Sequence, residues 1–252
     1  SKKILLLGDS VSFGVGVNEE DTFIGLWRNN TNDNLLNASV SGHNSSSYSK
    51  LLEDYSIKFP NLSKILIFIC LNDIISYEGV IDKTNLNDIQ KTKNFRFIQN
   101  LKSNIFFIKL NIFLRNKSAL YVFLKSVLST PPQRYFEDVY PLYSNKKLVT
   151  NLQKNFLKIK KLVEINDLNL QVIILPYSYQ VAEANCNSQK MLLPQLKIKA
   201  ILNDQKFNYI DFTNDFCNKK NTKQLFLKYD PMHLSEFGHK FVFELLKKRI
   251  DL

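Results

Sequence analysis

Alternating strand and helix patterns along the chain predict a three-layer α/β/α sandwich around a parallel sheet of about five strands. Two observations carry that expectation. Apolar runs bounded by turn residues recur at 3–7, 34–40, 64–71, 170–175 and 207–211, and most are continuous, as strands buried on both faces of a parallel sheet are. The stretches between them carry apolar residues at helical spacing. The segment 22–28 follows Asp21, a plausible N-cap, and 47–59 places Tyr48, Leu51, Leu52 and Tyr55 on one face. Residues 148–165 repeat Leu148, Leu152, Phe156, Ile159, Leu162 and Val163. In 236–250, Phe237, Phe241, Leu245 and Leu246 share a face, and Lys247, Lys248 and Arg249 suit the C-terminal end of the helix dipole.

One stretch breaks the rhythm. About 74–147 offers no core strand and is too long for a connection inside a compact domain, so the chain reads as one domain over 1–252 with a helical cap inserted there. Between 93 and 125 this cap carries Lys93, Arg96, Lys102, Lys109, Arg115, Lys117 and Lys125 without an acidic residue, interleaved with phenylalanines and Tyr121. The chain's net charge of +11 is therefore partly local. A basic aromatic cap suits an anionic surface or acidic glycan, or it is an ordinary lid with its own aromatic core. No nucleic-acid motif accompanies the charge, so nucleic acid is not an expected partner.

Composition sets outer limits. With 252 residues, 44% hydrophobic and 23% charged, the chain is neither a disordered tail nor a fibre. Its longest apolar run, 65–71, is far below the roughly 18–20 residues of a membrane span. Lys2 and Lys3 lead straight into a short apolar run before Gly8, which does not read as a signal peptide. A cytoplasmic protein and one whose targeting segment has been removed both fit, the extracytoplasmic reading being slightly favoured. Cys70 reads as a small buried hydrophobe, whereas Cys186 and Cys217 lie in polar surroundings and either pair, implying an oxidising compartment, or stay free. The histidines at 43, 233 and 239 make no zinc constellation, and no metal or organic cofactor is expected.

Chemistry is suggested where strands end. Gly8-Asp9-Ser10 follows the first strand, where an open parallel sheet binds ligands, so Ser10 stands where a nucleophile is useful; the alternative is a capping turn. Neither a phosphate loop nor the GxSxG elbow is present there. Asp230-Pro231-Met232-His233 comes after the last strand and before the final helix, and can fold back over the sheet edge that carries Ser10. A serine hydroxyl needs an imidazole to accept its proton and a carboxylate to orient that imidazole, and this loop holds both. Its alternative is a capping turn for the helix near Ser235. Gly42 follows the second strand and Asn72 the third; a backbone N–H and a side-chain amide there suit an oxyanion, although each is also an ordinary turn or cap residue.

Taken together, Ser10, Gly42, Asn72 and the Asp230/His233 pair resemble, in chain order, the four blocks of the SGNH hydrolases, the GDSL-type esterases and lipases. The resemblance implies a flavodoxin-like sheet, Ser10 as nucleophile, His233 as base and Asp230 as its carboxylate. It also implies an oxyanion hole made by the Ser10 and Gly42 N–H groups and the Asn72 amide. One position departs: the third block usually reads Gly-x-Asn-Asp, and Cys70 replaces its glycine, which puts the aim of Asn72 in doubt. The implied activity is ester hydrolysis through an acyl-enzyme, on a small-molecule or glycan ester such as O-acetylated carbohydrate. Acyl transfer to a glycan and a non-catalytic glycan-binding module are the alternatives. His43, beside Gly42, and Tyr177, Tyr179 and Gln180, after the fourth strand, are candidates to touch substrate, against a reading as exposed or loop-packing side chains.

Overall fold

The computed structural model describes residues 2–75, 118, 131–186 and 188–250; elements are numbered over these. The chain divides into a larger unit, Ser1–Ser76 with Pro132–Leu252, and a smaller one, Tyr77–Pro131. Apart from positions 118 and 131 the smaller unit, with the basic stretch 93–125, lies outside the described residues.

Five strands make one parallel sheet, β1 (Lys3–Leu7), β2 (Asn34–Asn37), β3 (Leu62–Ile69), β4 (Asn169–Ile174) and β5 (Asn208–Asp211), in the order β2-β1-β3-β4-β5. Leu5, Leu6 and Leu7 of β1, Ile65–Ile69 of β3 and Val172–Ile174 of β4 are fully buried, because helices cover both faces of the sheet. Helix α2 (Phe23–Asn30) packs on α8 (Glu236–Arg249), and α3 (Ser45–Lys58) packs on α5 (Lys146–Ile165). The chain leaves β1 in one direction to reach β2 and returns to place β3 on the other side. That reversal, at the carboxyl ends of β1 and β3, is where open α/β sheets bind their ligands.

Local details depart from the sequence reading in instructive ways. Asp21 closes a 3-10 turn, Glu19–Asp21, and α2 is capped instead by Thr22, whose hydroxyl accepts from the Gly25 N–H at 2.9 Å. The expected insertion ends sooner than position 147. From Pro132 on the chain belongs to the larger unit: α4 (Pro131–Val139) buries Phe136 and Val139, and Tyr143 is buried with its hydroxyl donated to the Leu71 carbonyl at 2.8 Å. These residues look like insertion in the sequence because they supply helix, not strand, to the core. Helix α6 (Gln189–Asp204) lacks a clean apolar stripe and carries Pro194 in its interior, so its pattern reads weakly. A short α7 (Thr213–Cys217) completes the set, and its last residue pairs with Cys186 in a disulfide.

Candidate active site

Ser10 is placed by an unusually tight turn. After β1 ends at Leu7, a Cβ on Gly8 would come within 2.4 Å of Ser12 Oγ and 2.7 Å of Ser12 Cβ, so only glycine lets the chain double back here. Asp9 then caps the one-turn helix α1 (Ser10–Phe13), accepting from the Val11 N–H at 2.9 Å. Ser10 thus stands as the first helical residue just past the carboxyl end of β1, 9% exposed.

The partner loop is a narrow turn bounded by a bridge between Phe226 and Leu234, with the Leu227 N–H donated to the His233 carbonyl at 2.9 Å. Within it Asp230 Oδ1 accepts from the N–H groups of Met232 at 2.9 Å and His233 at 2.7 Å. Its Oδ2 lies 2.9 Å from His233 Nδ1, and His233 Nε2 lies 2.9 Å from Ser10 Oγ. A proton on Nδ1 facing the carboxylate leaves Nε2 as acceptor for the serine hydroxyl. Partial burial works to raise the Asp230 pKa, but the ring and the two N–H donors outweigh it and hold the carboxyl below its ordinary value. Helix α8 takes its cap from Ser235, whose hydroxyl accepts from the Gly238 N–H at 3.1 Å. Asp230 and His233 are not needed as a cap.

A third segment, the 3-10 turn Leu71–Ile74 after β3, supplies the amide. Here Asp73 does the capping: its Oδ2 accepts from the Cys70 N–H at 2.9 Å and its Oδ1 from the Tyr48 hydroxyl at 3.0 Å. Asn72 is left half-buried between buried neighbours, with Nδ2 donating to Asp9 Oδ2 at 2.9 Å. Cys70 is buried as a free thiol and fits the packed strand end. Burial raises the Asp9 pKa and pushes that of Asp73 well up, each carboxyl being out of reach of water. The loop after β2 completes the arrangement. Ala38 donates to the Leu6 carbonyl at 2.9 Å and Val40 to the Gly8 carbonyl at 3.2 Å, which lays this loop along the Ser10 turn. Gly42 has φ +87°, a conformation that favours glycine. Among the described residues neither its N–H nor that of Ser10 has a hydrogen-bond partner.

No family model and no curated sequence matches the chain. Solved structures do, along nearly their whole length. The psychrotrophic esterase EstA of a Pseudoalteromonas species, inhibited by monoethylphosphonate, superposes with a TM-score of 0.55 at 15% identity over 99% of this chain and 97% of its own. A member of the lipolytic G-D-S-L family from Veillonella parvula gives 0.51 at 13% identity over 99% and 98%. A lipase/acylhydrolase from Enterococcus faecalis gives 0.53 at 12% identity over 99% and 97%. The chain has the SGNH hydrolase fold.

On the SGNH scaffold the remaining candidates fall into place differently from the sequence expectation. Tyr177 is fully buried and donates its hydroxyl to Asn72 Oδ1 at 2.9 Å, so its side chain is engaged inside the protein and not offered to a substrate. Gln180 is buried too: its Oε1 accepts from the Tyr177 N–H at 2.9 Å, and its Nε2 donates to the Met191 carbonyl and to Gln195. Tyr179 packs its ring on Phe136. The loop holding these residues follows the end of β4, and a polar residue there reads equally well as lining or brace. Its bracing role is clearest at Ser178, which the sequence did not single out: its N–H and hydroxyl both donate to the Pro231 carbonyl, at 2.9 and 3.0 Å. His43 is half-buried, with burial lowering its pKa and no hydrogen bond joining it to Ser10. His239 is buried, accepts from the Phe23 N–H at 3.2 Å, and is pulled by burial to a pKa of about 4, so it stays neutral.

Proposed function

We propose that the protein is a serine-dependent acyl-ester hydrolase working through an acyl-enzyme. The observation that carries this reading is the unbroken hydrogen-bond line from Ser10 Oγ through His233 to Asp230, with 2.9 Å at each step. Ser10 Oγ attacks the ester carbonyl carbon while its proton passes to His233 Nε2. The Asp230 carboxylate stabilises the resulting imidazolium, and the proton goes on to the departing alcohol as the ester C–O bond breaks. Water then attacks the acyl-serine with the same help, releasing the acid and restoring the hydroxyl. The Ser10 and Gly42 N–H groups and the Asn72 amide are the donors available to the oxyanion. The substrate class we infer is O-acylated carbohydrate, O-acetyl esters above all, which the resemblance to SGNH hydrolases implies. The Cys186–Cys217 disulfide supports an oxidising, extracytoplasmic setting.

A panel of short-chain aryl and sugar acetates, assayed with wild type and Ser10→Ala, tests the reading. The wild type is expected to turn over acetates at least about 10³-fold faster than the variant, and to show an acetyl adduct on Ser10 by mass spectrometry. Equal, background-level rates for the two proteins would remove it.

A further inference from the structure

The Asn72 amide can face either of two ways, and only one of them serves an oxyanion. In the observed orientation Oδ1 accepts from Tyr177 and one Nδ2 hydrogen goes to Asp9, which leaves the second Nδ2 hydrogen for a ligand. Turning the amide over would set Oδ1 against the Asp9 carboxyl and Nδ2 against the phenol oxygen. Asp9 alone is a poor guard against that turn. Burial favours its neutral form, and a protonated carboxyl can donate to Oδ1 as readily as a carboxylate accepts from Nδ2.

The phenol is a better guard. Tyr177 is fully buried, and among the described residues Asn72 Oδ1 is the acceptor its hydroxyl reaches. In the turned-over amide that hydroxyl would face Nδ2, and its own hydrogen would be buried without an acceptor. Nor can the ring drift to relieve this. Gln180 grips the Tyr177 N–H and is itself fixed to Met191 and Gln195 of α6, while the Tyr135 ring lies 5.7 Å away. Support thus reaches Asn72 from the loop that follows β4, a segment separate from the turn after β3 that carries the amide.

We propose that Tyr177 is a positioning residue that holds the Asn72 amide in its oxyanion-binding orientation without itself touching substrate; this rests on the hydrolase reading above. The test is a double-mutant cycle on aryl acetate hydrolysis with Tyr177→Phe, Asn72→Ala and the pair, beside wild type and Ser10→Ala. Asn72→Ala is expected to lower kcat by about 10²- to 10³-fold, as loss of one oxyanion donor does, and Tyr177→Phe by about 10- to 10²-fold with KM changed less than about twofold. In the Asn72→Ala background, Tyr177→Phe should cost nothing further, because the group it orients is gone. A merely structural tyrosine would instead lower the rate by the same factor in both backgrounds, and that outcome, or a Tyr177→Phe rate within about twofold of wild type, overturns the proposal. The two readings fail separately: wild type far above Ser10→Ala with an additive cycle rejects the positioning role alone, whereas wild type equal to Ser10→Ala rejects the hydrolase.

Discussion

Two aspartates stand on either side of Ser10, and the protein treats them oppositely. Asp9, on the β1 side, is sealed from water and its pKa is raised; Asp230, on the loop side, is 25% exposed, receives two backbone N–H groups and the His233 ring, and its pKa is lowered. Residue type alone does not separate them. What does is the water each carboxyl gives up: both receive hydrogen bonds, but Asp9 is sealed and Asp230 is partly exposed. Asp230 is kept as a charge beside the His233 ring, as the proposed mechanism requires. Asp9 is kept as a polar fixture that joins the Ser10 turn to Asn72, and the charge itself is a burden there.

The contrast can be broken by substitution. Asp230→Asn removes the charge that orients and stabilises His233, and is expected to lower kcat by about 10³- to 10⁴-fold in the aryl acetate assay. Asp9→Asn keeps an acceptor for the Val11 N–H but weakens the hold on Asn72, so a loss of about 10- to 10²-fold is expected. Equal losses would mean that the two carboxyls do not divide their work in this way.

Stability against pH sharpens it further. A carboxyl with a raised folded pKa contributes stability that is fully present below the ordinary value of 3.8 and is lost as pH rises through the folded value; Asp73, buried beside Asp9, is the stronger case. Asp230, with its lowered pKa, contributes stability that is present above 3.8 and lost as pH falls through the folded value. Denaturation followed from pH 3 to 8 should therefore flatten on its higher-pH side in Asp73→Asn, by no more than about 1.4 kcal/mol per pH unit. Asp230→Asn should flatten only the acid side, and by less, because its partly exposed carboxyl is screened. Asp73→Asn acting on the acid side would contradict the assignment.

Much of this was readable beforehand, for identifiable reasons. Ser10 stands in a short block at a strand end, Asp230 and His233 in another between the last strand and the final helix, and most of the strands show as continuous hydrophobic segments. Tyr177 was visible as a residue at the active edge, but not in its role. Its bond to Asn72 spans 105 positions of sequence and leaves no local pattern, whereas a tyrosine beside a pocket looks like a substrate contact. Cap residues slipped by one position at α2 because Asp21 and Thr22 are both good caps, and only the placement of the Glu19–Asp21 turn chooses between them.

The hydrogen bond between Ser10 and His233 joins residues 223 positions apart. During synthesis Ser10 leaves the ribosome long before His233 exists, and four more strands of the sheet, each reached by a crossover, lie between them in the chain. The hydroxyl therefore stays idle on an unfinished chain. On the proposed mechanism the Ser10 hydroxyl has its base only when the Asp230–His233 loop is in place beside it, so the appearance of ester hydrolysis during refolding would report the completion of the fold and not its beginning.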